Sequence, residues 1–203
     1  EIRADVAELD LRAFALRNGR LDAKSDGAQW RVETLKANLS GDTALSLKGT
    51  LGEKDGKPVA RGRMSVQTTR LDALVQLWRT LDETTPLFGV EARIDTGFSL
   101  VNGALGLTGG VGTLDGADFT FSGLLPAPGG KLDIPAGLGH FDEVQSRELM
   151  ASLPDIGNAP RFVSSFAGAA FDLSANSLDL FGLPGNYLAL RGDWAPRGCS
   201  FDQ

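Results

Sequence analysis

The triplet Asp95-Thr96-Gly97 is the first place in this chain where residue type and spacing could do acid–base chemistry. An aspartic protease uses two such carboxylates that face each other and share one proton, because two like charges in contact cannot both ionise. One triplet is present, so that chemistry would need a symmetric dimer, and the supporting apolar-Gly segment is missing. Asp95 therefore reads as a strand position beside a turn. The run "GGVGTLDGAD" from Gly109 looks like a ligand loop but lacks the Gly-Lys-Ser/Thr ending of a phosphate cradle. No helical pattern follows to offer an N-terminus to an anion. The run reads as a turn between strands.

His140 is the single histidine. A Ser-His-Asp triad needs only one, but no Gly-x-Ser-x-Gly turn is written in the chain. Zinc takes three or four His, Cys or acidic ligands, and His140 with the distant Cys199 offers too few. His140 reads as a surface residue where a helix begins. Asp142, Glu143 and Glu148 then form the solvated face of that helix, the early acids favoured by its dipole. Trp30, Trp78 and Trp194 are widely separated and read as core or sheet-edge plugs rather than a sugar platform. No catalytic residue, metal ligand or cofactor site is assigned, and the chain does not read as an enzyme.

The elements that must position these residues are mostly strands. "ALSLKG" at 44–49 reappears as "ALGLTG" at 104–109 and again, more loosely, as "YLALRG" at 187–192. In each, alternate residues are apolar, and a strand sends alternate side chains to one face. Asn18-Gly19 predicts a two-residue hairpin with "RLDAKS" as the returning strand. Turns are also predicted at Ser40-Gly41-Asp42, at Glu53–Gly56 and at Asn102-Gly103. Period changes at "TTRLDALVQLWRTLDE", where Leu71, Leu74, Val75, Trp78 and Leu81 fall at helical spacing behind Thr69 as N-cap. A second helix is predicted from Phe141 to Leu153, ended by Pro154.

Shifted by 60 positions, Ala44, Leu45, Leu47, Gly49 and Asp55-Gly56 meet Ala104, Leu105, Leu107, Gly109 and Asp115-Gly116. "RLDALVQL" from Arg70 meets "KLDIPAGL" from Lys131 one residue out of step. The organisation read from this is a β repeat unit with a closing helix over 1–85, a second over 86–155 and a partial third over 156–203, along one continuous sheet. The expected fold class is mainly β: repeated antiparallel strands forming a curved sheet or open groove, with one or two short α-helices.

Length and composition agree. With 203 residues, 42% of them hydrophobic and 23% charged, the chain can bury a core and does not resemble a disordered segment. A formal net charge of −6 argues against nucleic acid as a partner. One cysteine allows no internal disulfide, so cysteine usage leaves the redox compartment open. No apolar run approaches the about 20 residues of a membrane span. The start at Glu1 and the ending "GCSFDQ" set up the expectation of a segment of a longer protein.

Two helices are few to cover a sheet of this many strands. Leu45, Leu47, Met64, Val66, Ile94, Phe98, Leu100, Phe119, Phe121 and Leu173 fall on strand faces of consistent parity and are the candidate apolar, lipid-binding face. Burying an acyl chain there is worth about 0.8 kcal/mol per methylene before ordering costs. No charged site is needed for that.

Two stretches resemble the AsmA family of bacterial envelope proteins: "KGTLGEKDGKPVARGRMSVQTTRLDALVQLW" and "FDLSANSLDLFGLPGNYLALRGDW". The first resembles that family's strand, Gly-Lys-Pro-Val hairpin, second strand and Leu-Asp-x-Leu helix start. The second resembles its Leu-Ser-Ala…Gly-Leu-Pro pattern followed by a Leu-x-Leu strand. Residues 125–160, rich in Pro and Gly, match poorly. The resemblance implies a periplasmic protein tethered to the inner membrane by a segment outside this chain. It implies passage of phospholipid acyl chains along a β groove between the two membranes, with envelope proteins as further partners. The alternative is a non-catalytic β scaffold acting through protein contacts in outer-membrane assembly.

Overall fold

The computed structural model describes residues 1–11, 14–39, 41–76, 79–126, 130–153, 168–180, 182–195 and 198–201. Among these, twelve strands form a single sheet in which spatial order equals sequence order. The first five are β1 (Ile2–Leu11), β2 (Phe14–Ser25), β3 (Gln29–Leu39), β4 (Thr43–Lys54) and β5 (Lys57–Thr68). A short helix α1 (Leu71–Val75) and a connector follow. Next come β6 (Ala92–Val101), β7 (Ala104–Leu114), β8 (Ala117–Leu125) and β9 (Lys131–Phe141). Helix α2 (Glu143–Ser152) precedes β10 (Gly168–Leu180), β11 (Leu183–Ala195) and β12 (Gly198–Phe201). β1 and β12 are the two edges and do not pair, so the sheet is open, mainly β and mostly antiparallel. The described strands of 1–85, then of 86–155, then of 156–203 follow one another across it.

Three hairpin turns are built from two residues with positive φ, which only Gly, Asn and Asp adopt at low cost. They are Asp55-Gly56 (φ 55°, 74°), Asn102-Gly103 (54°, 79°) and Asp115-Gly116 (44°, 81°). The Asp-Gly turns occupy equivalent places in the two repeats. Asn18-Gly19 corrects the sequence reading. Asn18 has φ 50° but Gly19 is not in the left-handed region, so the turn geometry is not met. β2 runs through both residues, and the β2–β3 register slips between Arg17 and Arg20. The pair makes a bulge, not a hairpin.

The glycine-rich run from Gly109 is likewise strand up to the turn at Asp115-Gly116, with a bulge where the register slips on both sides of β7. Gly109 carries the positive φ of 56° that this bulge needs.

The helices differ from the predicted ones in length and capping. α1 ends at Val75, and Trp78 lies outside the described residues. Thr69 does not cap it; instead the Thr68 hydroxyl accepts from Arg70 N–H at 3.0 Å. Beyond it Asp82 accepts from Thr84 N–H and from the Thr84 and Thr85 hydroxyls, at 3.0, 2.7 and 2.9 Å. Such local bonds offer the backbone a turn in place of a helix. α2 lies within the predicted span and opens with a reciprocal cap. Asp142 accepts from Gln145 N–H at 2.9 Å, and the Gln145 amide oxygen accepts from Asp142 N–H at 3.1 Å. Pro154 lies outside the described residues.

"KLDIPAGLGH" is strand β9, although its counterpart in the first repeat leads into α1. Pro135 inside a strand flanked on both sides hid it, since proline cannot donate to a ladder. β9 also pairs with β10 in parallel, Ala136 opposite Leu173, where only antiparallel pairing was expected. The connection carries α2, as a parallel crossover requires.

The sealed core occupies one end of one sheet face. Leu71 and Val75 of α1 and Leu87 and Val90 of the connector pack with Leu114, Ala117 and Phe141. Arg79 ties the two helical segments together by donating to the carbonyls of Met150, Ala151 and Leu153 at 3.0–3.2 Å. These are end-of-helix carbonyls that α2 cannot satisfy itself.

Gly112 is one of the positions where the sheet leaves no room for a side chain. A Cβ there would sit 2.4 Å from Phe119 Cζ and 2.7 Å from the Arg93 carbonyl oxygen. Gly112→Val should lower unfolding free energy by about 2–3 kcal/mol, read as a shift of the urea midpoint at unchanged slope.

Candidate functional site

Cross-strand partners point to the same side of a sheet. The strand registers therefore define which side chains share a face. One row runs Ala37, Leu45, Val66, Ile94, Gly112, Phe119, Leu138, Ala175, Leu188. Beside it Leu21, Leu35, Leu47, Met64 and Thr96 form a second, resumed across the bulge by Gly110, Phe121, Ala136, Leu173 and Leu190. A third contains Val32, Gly49, Gly62, Phe98, Leu107 and Gly123. A fourth contains Trp30, Leu51, Ala60, Leu100, Leu105 and Leu125.

All ten residues picked out from the sequence as the apolar face lie in these rows. Each is half-buried: none is sealed and none is fully exposed. Among the described residues, the helices and connector cover only the end of the face where Ala92, Leu114 and Ala117 line up. Further along, Leu51, Leu188, Leu190 and Ile134 are 45%, 39%, 44% and 42% exposed. Sequence reading missed the members on β3, β9 and β11. A register slip between Val32 and Leu35 breaks their common parity on β3; on β9, Pro135 masked the strand.

Glycines shape this surface. Phe121 lies against Gly110, Phe119 against Gly112 and Phe98 against Gly62, with ring carbons 2.5, 2.4 and 2.9 Å from where a Cβ would stand. The rings of Phe119 and Phe121 are 6.0 Å apart and tilted by 35°. Each ring occupies the space that its cross-strand partner leaves empty. The surface is therefore lower and smoother than leucine at those positions would make it.

The residues considered for acid–base chemistry are dispersed. Asp95 lies in the interior of β6, where its carboxylate meets Arg93 Nε at 2.8 Å. The Arg93 and Ser65 hydrogen bonds hold it below the usual carboxylate range. It is a paired, ionised group, not half of a proton-sharing dyad. His140 is exposed at the end of β9, before the N-cap of α2, and its Nδ1 is 2.9 Å from Ser177 Oγ. The two face each other by register across the parallel pair. No group of three or more His, Cys, Asp or Glu able to hold a metal occurs among the described residues.

Glu148 departs from the solvated helix face expected of it. It is 5% exposed, and its Oε2 has no hydrogen-bond partner. Burial, and then the nearby charges of Asp115 and Asp142, raise its pKa to about 7. The α2 backbone turns this residue inward while the cap acids Asp142 and Glu143 stay at the entrance. No signal in the local sequence separates it from them.

Comparison with protein-family models, with curated proteins and with solved structures returns no match.

A carboxyl that titrates higher in the folded state than unfolded stabilises the fold in its protonated form, and that stability is lost as pH rises through the folded value. Stability should therefore fall between about pH 5 and pH 8. Glu148→Gln should remove most of that slope and exceed the parent at the alkaline end by about 2–3 kcal/mol. Denaturant melts across this range check it.

Proposed function

We propose that this chain binds phospholipid acyl chains along its apolar face and guides their movement without catalysis. The observation that supports this most is an apolar row continuous from β3 to β11, flanked by further apolar rows, with cover among the described residues at one end only. Hydrocarbon laid there gains about 0.8 kcal/mol per methylene, roughly 12 kcal/mol for a sixteen-carbon chain before ordering costs. The rows run across the strands, so a chain lying along them meets the same chemistry at each successive strand. That favours sliding over capture at one point. Together with the resemblance to the AsmA family, this reading places the protein in the periplasm of a two-membrane cell. It would be tethered to the inner membrane by a segment outside this chain and would serve envelope biogenesis. No helix among the described residues is long and apolar enough to cross a membrane.

A second reading is a protein-binding scaffold, favoured by the free edge of β1, whose backbone groups could pair with another chain. The two differ in what co-purifies. Native mass spectrometry of protein from cells should show bound phospholipid, and a fluorescent fatty acid should bind and be displaced by it. Leu47→Asp and Phe121→Asp should each weaken that binding by about tenfold or more, since a carboxylate on this face must be desolvated. Asp95→Asn should leave it unchanged. A ligand-free protein that refuses the probe would leave the scaffold reading in its place.

A further inference from the structure

The opposite face of the same sheet carries a charge pattern that acyl binding does not use. Lys24, Arg31 and Arg61 lie in one row, with Thr50 between the two arginines. Lys48 and Arg63 are partners in the next row, and Arg20 and Lys36 in the one beyond. All seven are exposed. None takes part in the ion pairs of the described residues, which use other cations. The acids among them are Asp5 opposite Arg20, Asp22, approached by Arg3 at 3.6 Å, Glu33, and Asp95 at the far end of the Arg20–Lys36 row beyond Ser46 and Ser65.

This concentration runs against the composition of the whole chain. Residues 1–68 hold twelve Lys and Arg against ten Asp and Glu, whereas residues 69–203 hold eight against sixteen. Cations are thus gathered on one face of four neighbouring strands in an acidic protein. Like charges held this close repel one another, and an anionic partner relieves that repulsion.

We propose that the basic face of β2–β5 docks on an anionic phospholipid surface through its headgroup phosphates. Three features favour a membrane over other polyanions. The cations form a two-dimensional patch over four strands, not a track that a single strand of nucleic acid would follow. β3–β5 present no aromatic side chain on this face to stack on bases, as Trp30 points to the other side with Leu51. Neighbouring strands rotate by about 20–25°, so the acid-rich strands from β6 onward turn progressively away from a plane touching β2–β5. A flat anionic surface can therefore meet the cations while turning away from the acids of β6 onward. The apolar face stays directed away from the headgroups and is free for other contacts.

The test is co-sedimentation with vesicles of phosphatidylcholine alone and of phosphatidylcholine mixed with phosphatidylglycerol. Binding should require the anionic lipid and fall as salt is raised, because exposed charges are screened within about 10 Å at moderate ionic strength. Lys48→Glu/Arg63→Glu should lower the partition coefficient by about tenfold or more, and the corresponding double glutamine variant by less. Lys131→Glu/Arg147→Glu changes net charge equally outside the patch and should have a smaller effect. Far-ultraviolet circular dichroism and fatty-acid probe binding confirm that each variant is folded, and probe binding should be the same in all of them. Equal binding to neutral vesicles, indifference to the patch reversal in a folded variant, or equally tight retention of single-stranded RNA would each overturn the proposal. Failure of the fatty-acid probe alone would count against acyl binding and leave this docking surface standing.

Discussion

A β-strand gives every second side chain to the same face, and this protein has to keep that alternation in phase through many consecutive strands. Each strand inherits its facing from the ladder before it, so a one-residue slip would turn its leucines to the wrong side. The phase is restored by bulges rather than by perfect alternation. In β7, Leu105 and Leu107 have odd numbers while Leu114 has an even one, yet all three take part in the apolar rows. The extra residue near Gly109, allowed by its positive φ, moves the second half of the strand into step. β3 makes the same adjustment between Val32 and Leu35.

That constraint explains the distribution of cover. Helices and connector are short, and they gather at the end of the face where the connections emerge, sealing Val75 and Leu87 completely. The remainder of the face relies on its own neighbours. Phenylalanines laid over glycines provide some of this shielding within the sheet. The result, among the described residues, is an apolar surface of intermediate burial that the helices and connector do not close. On the other side, side chains released from packing are free to carry charge, and on β2–β5 seven of them are cations.

Local grammar was readable where one short-range rule decides the structure. The Asp55-Gly56, Asn102-Gly103 and Asp115-Gly116 turns follow from the backbone preferences of those residues alone. The ten apolar positions follow from alternation within single strands, whereas the sequence reading set Asp142 inside α2 and missed its role as the cap. Asn18-Gly19 shows the limit of this reading. The same dipeptide serves as a bulge when the ladders on both sides of β2 hold the chain extended. β9 shows it again, because a proline that weakens a strand in isolation is accepted once β8 and β10 flank it. Glu148 was placed with the solvent-facing acids since its burial depends on what α2 packs against.

The amino-acid sequence by itself determined that this chain would be mainly β, where most of its tight turns fall, and which side chains alternate within a strand. These are consequences of backbone sterics and of contacts between near neighbours. Only the tertiary structure decided that the separate apolar stripes line up into rows across the strands, that β9 and β10 run parallel, and that seven cations meet on one face. Register between strands depends on hydrogen bonds made far apart in the chain. A bulge shifts every partner beyond it, so no local pattern can report its effect.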